Sequence, residues 1–430
     1  MTFSLEMVGL AVHHIQLAVT HGPVILAKLK QAGFKIFAQS SYSNVRQWAM
    51  QSGTARLLVT EMMNPENGQS HQNVDRKILN GQHLPILDPS IALPQSVCKN
   101  SISSHSVFNI AFEPSDIEKT LDVARGNGAD ILYDLRTIDE GGSGFLRYAV
   151  IKSGLGNMVH TLLDTSQYRG AFLPGFTNVI DDQLDHSKES HVTHFDHVTL
   201  ACREGTINET MSWYERCLGM KRFSINRNDD EEQGMVVKET SSGLRLKALE
   251  YWRCSEQGLS LTESSQTDPD KPAFVFAEAI SGPGPNQIKT FLKEHGCEGV
   301  QHVGLYTPNI CSAVSCMKSA GLSFISPPVE YYRELAQQQE VRKLGESLQH
   351  LQELSILLDT EEDSDCRDIE SDRIRYLMQV FGEPLFNNDT FFLELIQREG
   401  LGGFGAGNIK ALWRAVARHM AQNKAMINSM

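Results

Sequence analysis

Short strands of alternating apolar and polar residues recur along this chain, and each recurrence is followed by a run with helical period and then by further alternating segments. HHIQLAVTHGPVILAKLKQAGFKIFA places His14 at the head of a strand and Gly33 nineteen residues later, after an amphipathic helix. FNIAFEPSDIEKTLDVARGNGADIL repeats the design with Asn109 in the histidine slot and Gly128 nineteen residues on. FDHVTLACREGTINETMSWYERCLGMKRF opens with His197 and reaches Gly219 after a slightly longer helix. QHVGLYTPNICSAVSCMKSAGLSFI then restores the spacing of nineteen between His302 and Gly321.

Repeats of this kind decide the architecture. Each predicts a strand, a helix closed by a C-terminal glycine, and then antiparallel strands. In DIEKTLDVARGNG, Ile117, Leu121 and Ala124 share one face and Asp116 is placed to cap the start. VRQWAMQSGTARLLVTE, MVVKETSSGLRLKALEY and RYLMQVFG have the period of two expected of strands. Four βαβββ units, two per domain, predict an α+β fold. The first domain is expected over 1–165 and a linker over 166–192, which includes the polar stretch TNVIDDQLDHSKESHV. The second domain is expected over 193–400, and GNIKALWRAVARHMAQNKAM within 401–430 reads as a closing helix with a polar tail. Segments 64–104, 254–272 and 359–373 read as loops. The last is strongly acidic but lacks the glycine and spacing of a calcium loop, so it reads as a solvated hairpin tip.

Composition narrows the function. At 430 residues the chain is long enough for two or three domains with a large core. A net charge of -13 with no cluster of Lys and Arg argues against a nucleic-acid partner. The eight cysteines include no C-x-x-C pair and suit free thiols in a reducing compartment. No apolar run is long enough to span a membrane. The N-terminal stretch has no basic region before its apolar run and contains Glu6, unlike a secretory signal or an Arg-rich transit peptide.

The candidate chemistry sits in the second half. His197 and His302 occupy the same slot of two equivalent units, so pseudo-twofold pairing brings both onto one inner surface. Glu394 lies between Leu393 and Leu395, and a carboxylate in so apolar a strand costs several kcal/mol unless it meets a cation or a donor. Two histidines and one carboxylate form the facial triad that leaves open positions on a ferrous ion. The first half offers His14, Asn109 and His160 instead, and reads as a structural duplicate without a metal.

GVQHVGL, YLMQVFG, FFLELIQR, GFGAGNIKALW and YRGAFLPGF together resemble the 4-hydroxyphenylpyruvate dioxygenase family of the vicinal oxygen chelate superfamily, its animal dioxygenase-like branch most of all. The resemblance implies paired βαβββ units curled into open barrels. It implies one Fe(2+) per chain on His197, His302 and Glu394, with the iron supplying electrons to O2 and acting as a template. It implies that Gln287, Gln301 and Gln379 orient a 2-oxo acid, and that Phe381, Phe392 and Phe404 wall the pocket. Three positions depart from the dioxygenase pattern. Gly234 and Leu249 stand where the family has a Ser and an Asn beside the substrate, and Ile409 replaces a phenylalanine after G-A-G-N. In the related 4-hydroxymandelate synthases that position is also a smaller aliphatic residue. The expected reaction is therefore 4-hydroxyphenylpyruvate plus O2 to 4-hydroxymandelate and CO2, with homogentisate formation and a catalytically silent, ligand-binding paralogue as the alternatives. By the same resemblance the expected setting is the mitochondrion, with the cytoplasm as the alternative, and the expected role is the supply of a quinone ring precursor. The expected partners are the 2-oxo acid and O2, with a homodimer as the candidate assembly.

Overall fold

The structure is a computed structural model that describes residues 9–42, 45–62, 105–179, 191–223, 233–238, 243–250, 272–280, 282, 286–337, 347–360, 375–386, 388, 390–399, 405 and 407–409. The expected loop over 64–104, nearly all of 254–272 and 359–373, Phe404, and the closing helix beyond Ile409 lie outside the described residues.

The four repeats fold as two pairs. The first unit runs β1 (Leu10–Val19), α1 (Gly22–Gln31), β2 (Lys35–Tyr42), β3 (Val45–Ser52) and β4 (Ala55–Met62). The second runs β5 (Ser106–Pro114), α2 (Ile117–Gly126), β6 (Ile131–Asp139), β7 (Phe145–Lys152) and β8 (Val159–Asp164), followed by the short β9 (Thr177–Asn178). The third comprises β10 (His194–Cys202), α3 (Ile207–Leu218), β11 (Lys221–Phe223), β12 (Met235–Lys238), β13 (Gly243–Glu250) and β14 (Ala273–Ile280). After α4 (Gln287–His295), the fourth comprises β15 (Gly299–Tyr306), α5 (Ile310–Ser319), α6 (Val329–Leu335), α7 (Leu348–Leu354), β16 (Leu357–Thr360), β17 (Tyr376–Phe381) and β18 (Phe392–Glu399). The helices start and stop where local chemistry says they should. Asp116 caps α2 through the Lys119 amide, Asn309 caps α5 through the Ser312 amide, and Gly219 closes α3 in the left-handed region at φ 71°.

Units pair through their first strands. In the first sheet the order is β6-β7-β8-β5-β1-β4-β3-β2-β9, with β1 antiparallel to β5 and each flanked by the parallel last strand of its own unit. The second sheet repeats this as β11-β13-β14-β10-β15-β18-β17-β16, with β11 and β12 both pairing β13. Both sheets curl, as the vicinal oxygen chelate fold requires.

Alternation divides each strand between two faces. On β10, Val198, Leu200 and Cys202 join the helix-covered core with Met211, Tyr214 and Leu218 of α3. That core is continuous between the two sheets, and a fully buried Leu, Ile, Val, Phe or Met contributes about 1.5–3 kcal/mol to it. Where the halves meet, the Tyr214 hydroxyl lies 3.0 Å from both His160 Nε2 and Ser153 Oγ. Lys28 on α1 also donates to the Leu385 carbonyl at 2.8 Å, tying the first unit to the β17–β18 connection.

Candidate metal centre

The inner face of the second sheet carries the site. His197 of β10 pairs with Gly304 of β15, Thr199 pairs with His302, and Gly304 in turn pairs with Glu394 of β18. This register brings His197 Nε2, His302 Nε2 and Glu394 Oε2 into a triangle 3.3 Å on each side. Three ligand atoms this close can share one ion at bonds of about 2.1 Å. His197 and Glu394 are buried and His302 is half-buried. They are the one group of at least three His, Cys, Asp or Glu side chains with metal-binding spacing among the described residues.

Each ligand is held from behind. Asp196 Oδ1 accepts from His197 Nδ1 at 2.8 Å and from Arg398 Nη2 at 2.6 Å, which keeps the His197 Nε2 lone pair for a metal. Gln301 Oε1 lies 3.1 Å from His302 Nδ1 and does the same there. Gln379 Nε2 donates to Glu394 Oε1 at 2.8 Å, leaving Oε2 on the histidine side. Burial alone would lower the His197 pKa, but the Glu394 and Asp196 carboxylates outweigh it and raise it to about 9. His302 faces neutral Gln301 and only one carboxylate, so burial wins and its pKa is lowered. Burial pushes Glu394 up, yet the two imidazoles pull it down to about 2, and Arg398 with His197 holds Asp196 low against its own burial. A cation between the three groups meets the same electrostatic need as that proton on His197, so the donor set fits a divalent ion.

Phe392 stacks on His302 with ring centroids 4.8 Å apart, and Phe381, paired in register with Glu394, stands edge-on to Phe392 at 6.1 Å. Both line the inner face. Ile409 packs against the inner-face cluster that includes Val237, Leu244, Val275 and Ala277, on the side where the His197 face continues.

Other expected residues fall elsewhere. Leu249 pairs with Phe274, and both point into the helix-covered core, so Leu249 does not wall the pocket. Gly234 has φ 66°, and a Cβ there would meet the Leu246 carbonyl oxygen at 2.4 Å, so its glycine answers a backbone need. Gln287 is the exposed first residue of α4. Gln301 and Gln379, expected to orient the substrate, hydrogen-bond His302 and Glu394 of the candidate centre. Sequence reading missed Asp196 and Arg398, although a charged residue inside FDHVTL was as informative as Glu394 inside FFLELIQR.

In the first sheet the same positions hold different chemistry. His14 pairs with Ala111 and Gln16 with Asn109, while Ala111 pairs with Thr161, so Thr161 and not His160 stands in the Glu394 slot. His160 faces the other way, into the core between the halves. Thr161 donates to Asn109 Oδ1, whose amide donates to Gln16 Oε1. Phe172, from the YRGAFLPGF segment, packs against His14 at 5.3 Å and joins Tyr168 and Phe176 in filling that barrel.

Comparisons with known proteins agree with this geometry. Residues 194–341 match the glyoxalase/bleomycin resistance protein/dioxygenase superfamily. The chain is 33% identical over 416 residues to the 4-hydroxyphenylpyruvate dioxygenase-like protein of Rattus norvegicus, covering 95% of this chain and 96% of that one. It is 32% identical to 4-hydroxyphenylpyruvate dioxygenase of Xenopus tropicalis over 72% of this chain and 71% of the relative. A mutant 4-hydroxymandelate synthase from Streptomyces coelicolor superimposes with a TM-score of 0.68 at 22% identity, covering 96% of this chain and 100% of that one, which shows a common fold. The repeated units, the His-His-Glu centre and the full-length relatives place the chain in the 4-hydroxyphenylpyruvate dioxygenase family of the vicinal oxygen chelate superfamily.

Proposed function

We propose that the protein is a non-haem Fe(2+) oxygenase, with one iron per chain, that converts 4-hydroxyphenylpyruvate and O2 to 4-hydroxymandelate and CO2. The observation that carries this reading is the buried triangle of His197, His302 and Glu394, with aromatic rings on one side and Ile409 on another. When bound, the iron would supply electrons to O2 and hold the carboxylate and keto oxygens of the 2-oxo acid.

The chain's own residues do the rest. Asp196 and Gln301 hold the imidazoles with Nε2 inward, and Gln379 holds one carboxylate oxygen of Glu394. Phe392 and Phe381 exclude water and confine the aromatic ring. One oxygen atom of O2 enters the carboxylate formed as CO2 departs, and the other enters the side chain at the benzylic carbon, so all atoms are accounted for. Between benzylic and ring attack the outcome depends on how the ring is held, to about an ångström. Ile409 in place of a flat aromatic wall favours the benzylic carbon.

The test is to load the protein with Fe(2+), supply 4-hydroxyphenylpyruvate and O2, and separate the products. Dominant 4-hydroxymandelate is expected. Dominant homogentisate would leave an iron dioxygenase with the other product, and no oxygen uptake would leave a silent binding protein. By likeness to the dioxygenase-like relatives we further propose a mitochondrial setting in which the product supplies a quinone ring, a placement that purely cytosolic fractionation would remove.

A further inference from the structure

The Glu394 carboxylate stands at the end of a hydrogen-bond chain that begins on backbone far from the metal. The Leu358 amide donates to the Tyr331 hydroxyl at 2.9 Å, and that hydroxyl donates to Asn408 Oδ1 at 2.7 Å. Asn408 Nδ2 donates to Gln379 Oε1 at 2.8 Å, and Gln379 Nε2 donates to Glu394 Oε1 at 2.8 Å. All four side chains are at most 2% exposed, so solvent cannot substitute for a missing partner.

The two ends fix the direction of the whole chain. A backbone N–H only donates and an ionised carboxylate only accepts. If the Tyr331 proton went to the Leu358 carbonyl at 3.1 Å instead, Asn408 and Gln379 would both have to turn over. Gln379 would then present its carbonyl oxygen to Glu394, oxygen against oxygen in a dry site, which costs more than the alternative. Gly405 supports the same docking. A Cβ on it would lie 1.8 Å from Gln379 Oε1, and the Gly407 amide donates to Asp359 Oδ2 at 2.7 Å, so this segment closes directly over Gln379.

We propose that Asn408 and Tyr331 are positioning residues of the metal centre. They set the amide of Gln379, and through it keep Glu394 Oε1 engaged while Oε2 is left for the metal. This rests on the iron-site reading above. It also means that Gln379 takes the Asn408 amide on Oε1 and spends one Nε2 hydrogen on the Glu394 carboxylate. The segment that carries Ile409 is thereby wired to the metal.

The test is Co(II) titration of the full chain against a competing chelator, which reads affinity without turnover. Wild type is expected to take up one equivalent at the triad. Asn408→Asp is isosteric and still accepts from Tyr331 but cannot donate to Gln379, so affinity should fall by about 10–100-fold, the usual effect of losing an outer partner. Tyr331→Phe should fall in the same range, which keeps the test alive if the first variant does not fold. In a Gln379→Leu background, Asn408→Asp should cost less than about twofold more, because residues acting through one partner are not additive. Affinity within about twofold of wild type in both single variants, or full multiplication of losses in the double, would overturn the relay while leaving the metal site standing. Absence of Co(II) binding by wild type would overturn the metal site and the relay together.

Discussion

Gly304 stands directly between two residues of the candidate metal centre, paired with His197 on one side and with Glu394 on the other. A Cβ built on it would meet His197 Cε1 at 2.2 Å, so the missing side chain is the space the imidazole occupies. Gly304→Ala must therefore displace the ring or the strand, at about 1–3 kcal/mol for an overpacked methyl. Divalent-metal affinity should fall at least about tenfold with the fold intact, since a displaced ligand cannot reach a shared ion. Isothermal titration with Co(II) alongside circular dichroism checks this, and unchanged affinity would contradict the placement of His197.

The Asp196–Arg398 pair does two jobs that mutation can separate. Asp196→Leu removes the carboxylate oxygen to which both Arg398 Nη2 and His197 Nδ1 donate. Stability should drop by about 3–5 kcal/mol, as when one half of a buried ion pair is removed. Adding Arg398→Met should restore most of that stability, but not the metal affinity, because the Asp196 carboxylate that orients His197 is still missing. Urea midpoints report the first effect and chelator competition the second. Recovery of both together would show that Asp196 serves only charge balance.

His160 makes stability pH-dependent. Burial lowers its pKa from 6.5 to about 4, although its bond to the Ile110 carbonyl works the other way. The folded state thus resists a proton that the unfolded state accepts. Its contribution is complete above pH 6.5 and is lost as pH falls towards 4, at about 1.4 kcal/mol per unit, or about 3 kcal/mol in all. His160→Gln can still donate to Ile110 and accept from Tyr214, so it should flatten the fall in thermal midpoint between those pH values. His13, lowered to about 3 by burial and by Arg56, adds a parallel loss that remains in the variant. A slope identical to wild type would show that His160 is not buried neutral.

Much of this architecture was legible because strand period, helix closure and repeat spacing agree. His197 and His302 could be matched across units, and Glu394 violated the apolar pattern of its strand. Two of the differences share one physical origin. Side chains on a strand alternate, so an error of one residue exchanges the two faces of the sheet. The sequence offers His160 for the slot that Thr161 fills and Leu249 for the pocket, whereas register with Phe274 turns Leu249 into the helix-covered core. Gln301 and Gln379, expected to orient the 2-oxo acid, hydrogen-bond His302 and Glu394, and which partner each amide meets depends on tertiary contacts that sequence spacing does not contain. Asn408 and Tyr331 lie 77 positions apart, and only folding joins them.

The last prediction concerns product choice and rests on Ile409. Its side chain packs on the inner-face cluster that includes Val237, Leu244 and Val275, on the face of the sheet that also carries His197. A branched aliphatic chain offers no flat surface against which an aromatic ring can stack, whereas phenylalanine would add an offset-stacked or edge-on contact of about 0.5–1.5 kcal/mol. If Phe381 and Phe392 hold one side of the substrate ring as proposed, a further aromatic wall at position 409 would favour the ring carbon over the benzylic carbon. A contact of that size shifts a branching ratio by about three- to tenfold. Ile409→Phe is therefore expected to move the homogentisate share up by that factor, while Phe392→Leu, which loosens the stacked partner of His302, should slow total turnover. Chromatographic separation of products from both variants, at equal iron content, gives the comparison. An unchanged product ratio in Ile409→Phe would show that the ring is steered from elsewhere in the pocket.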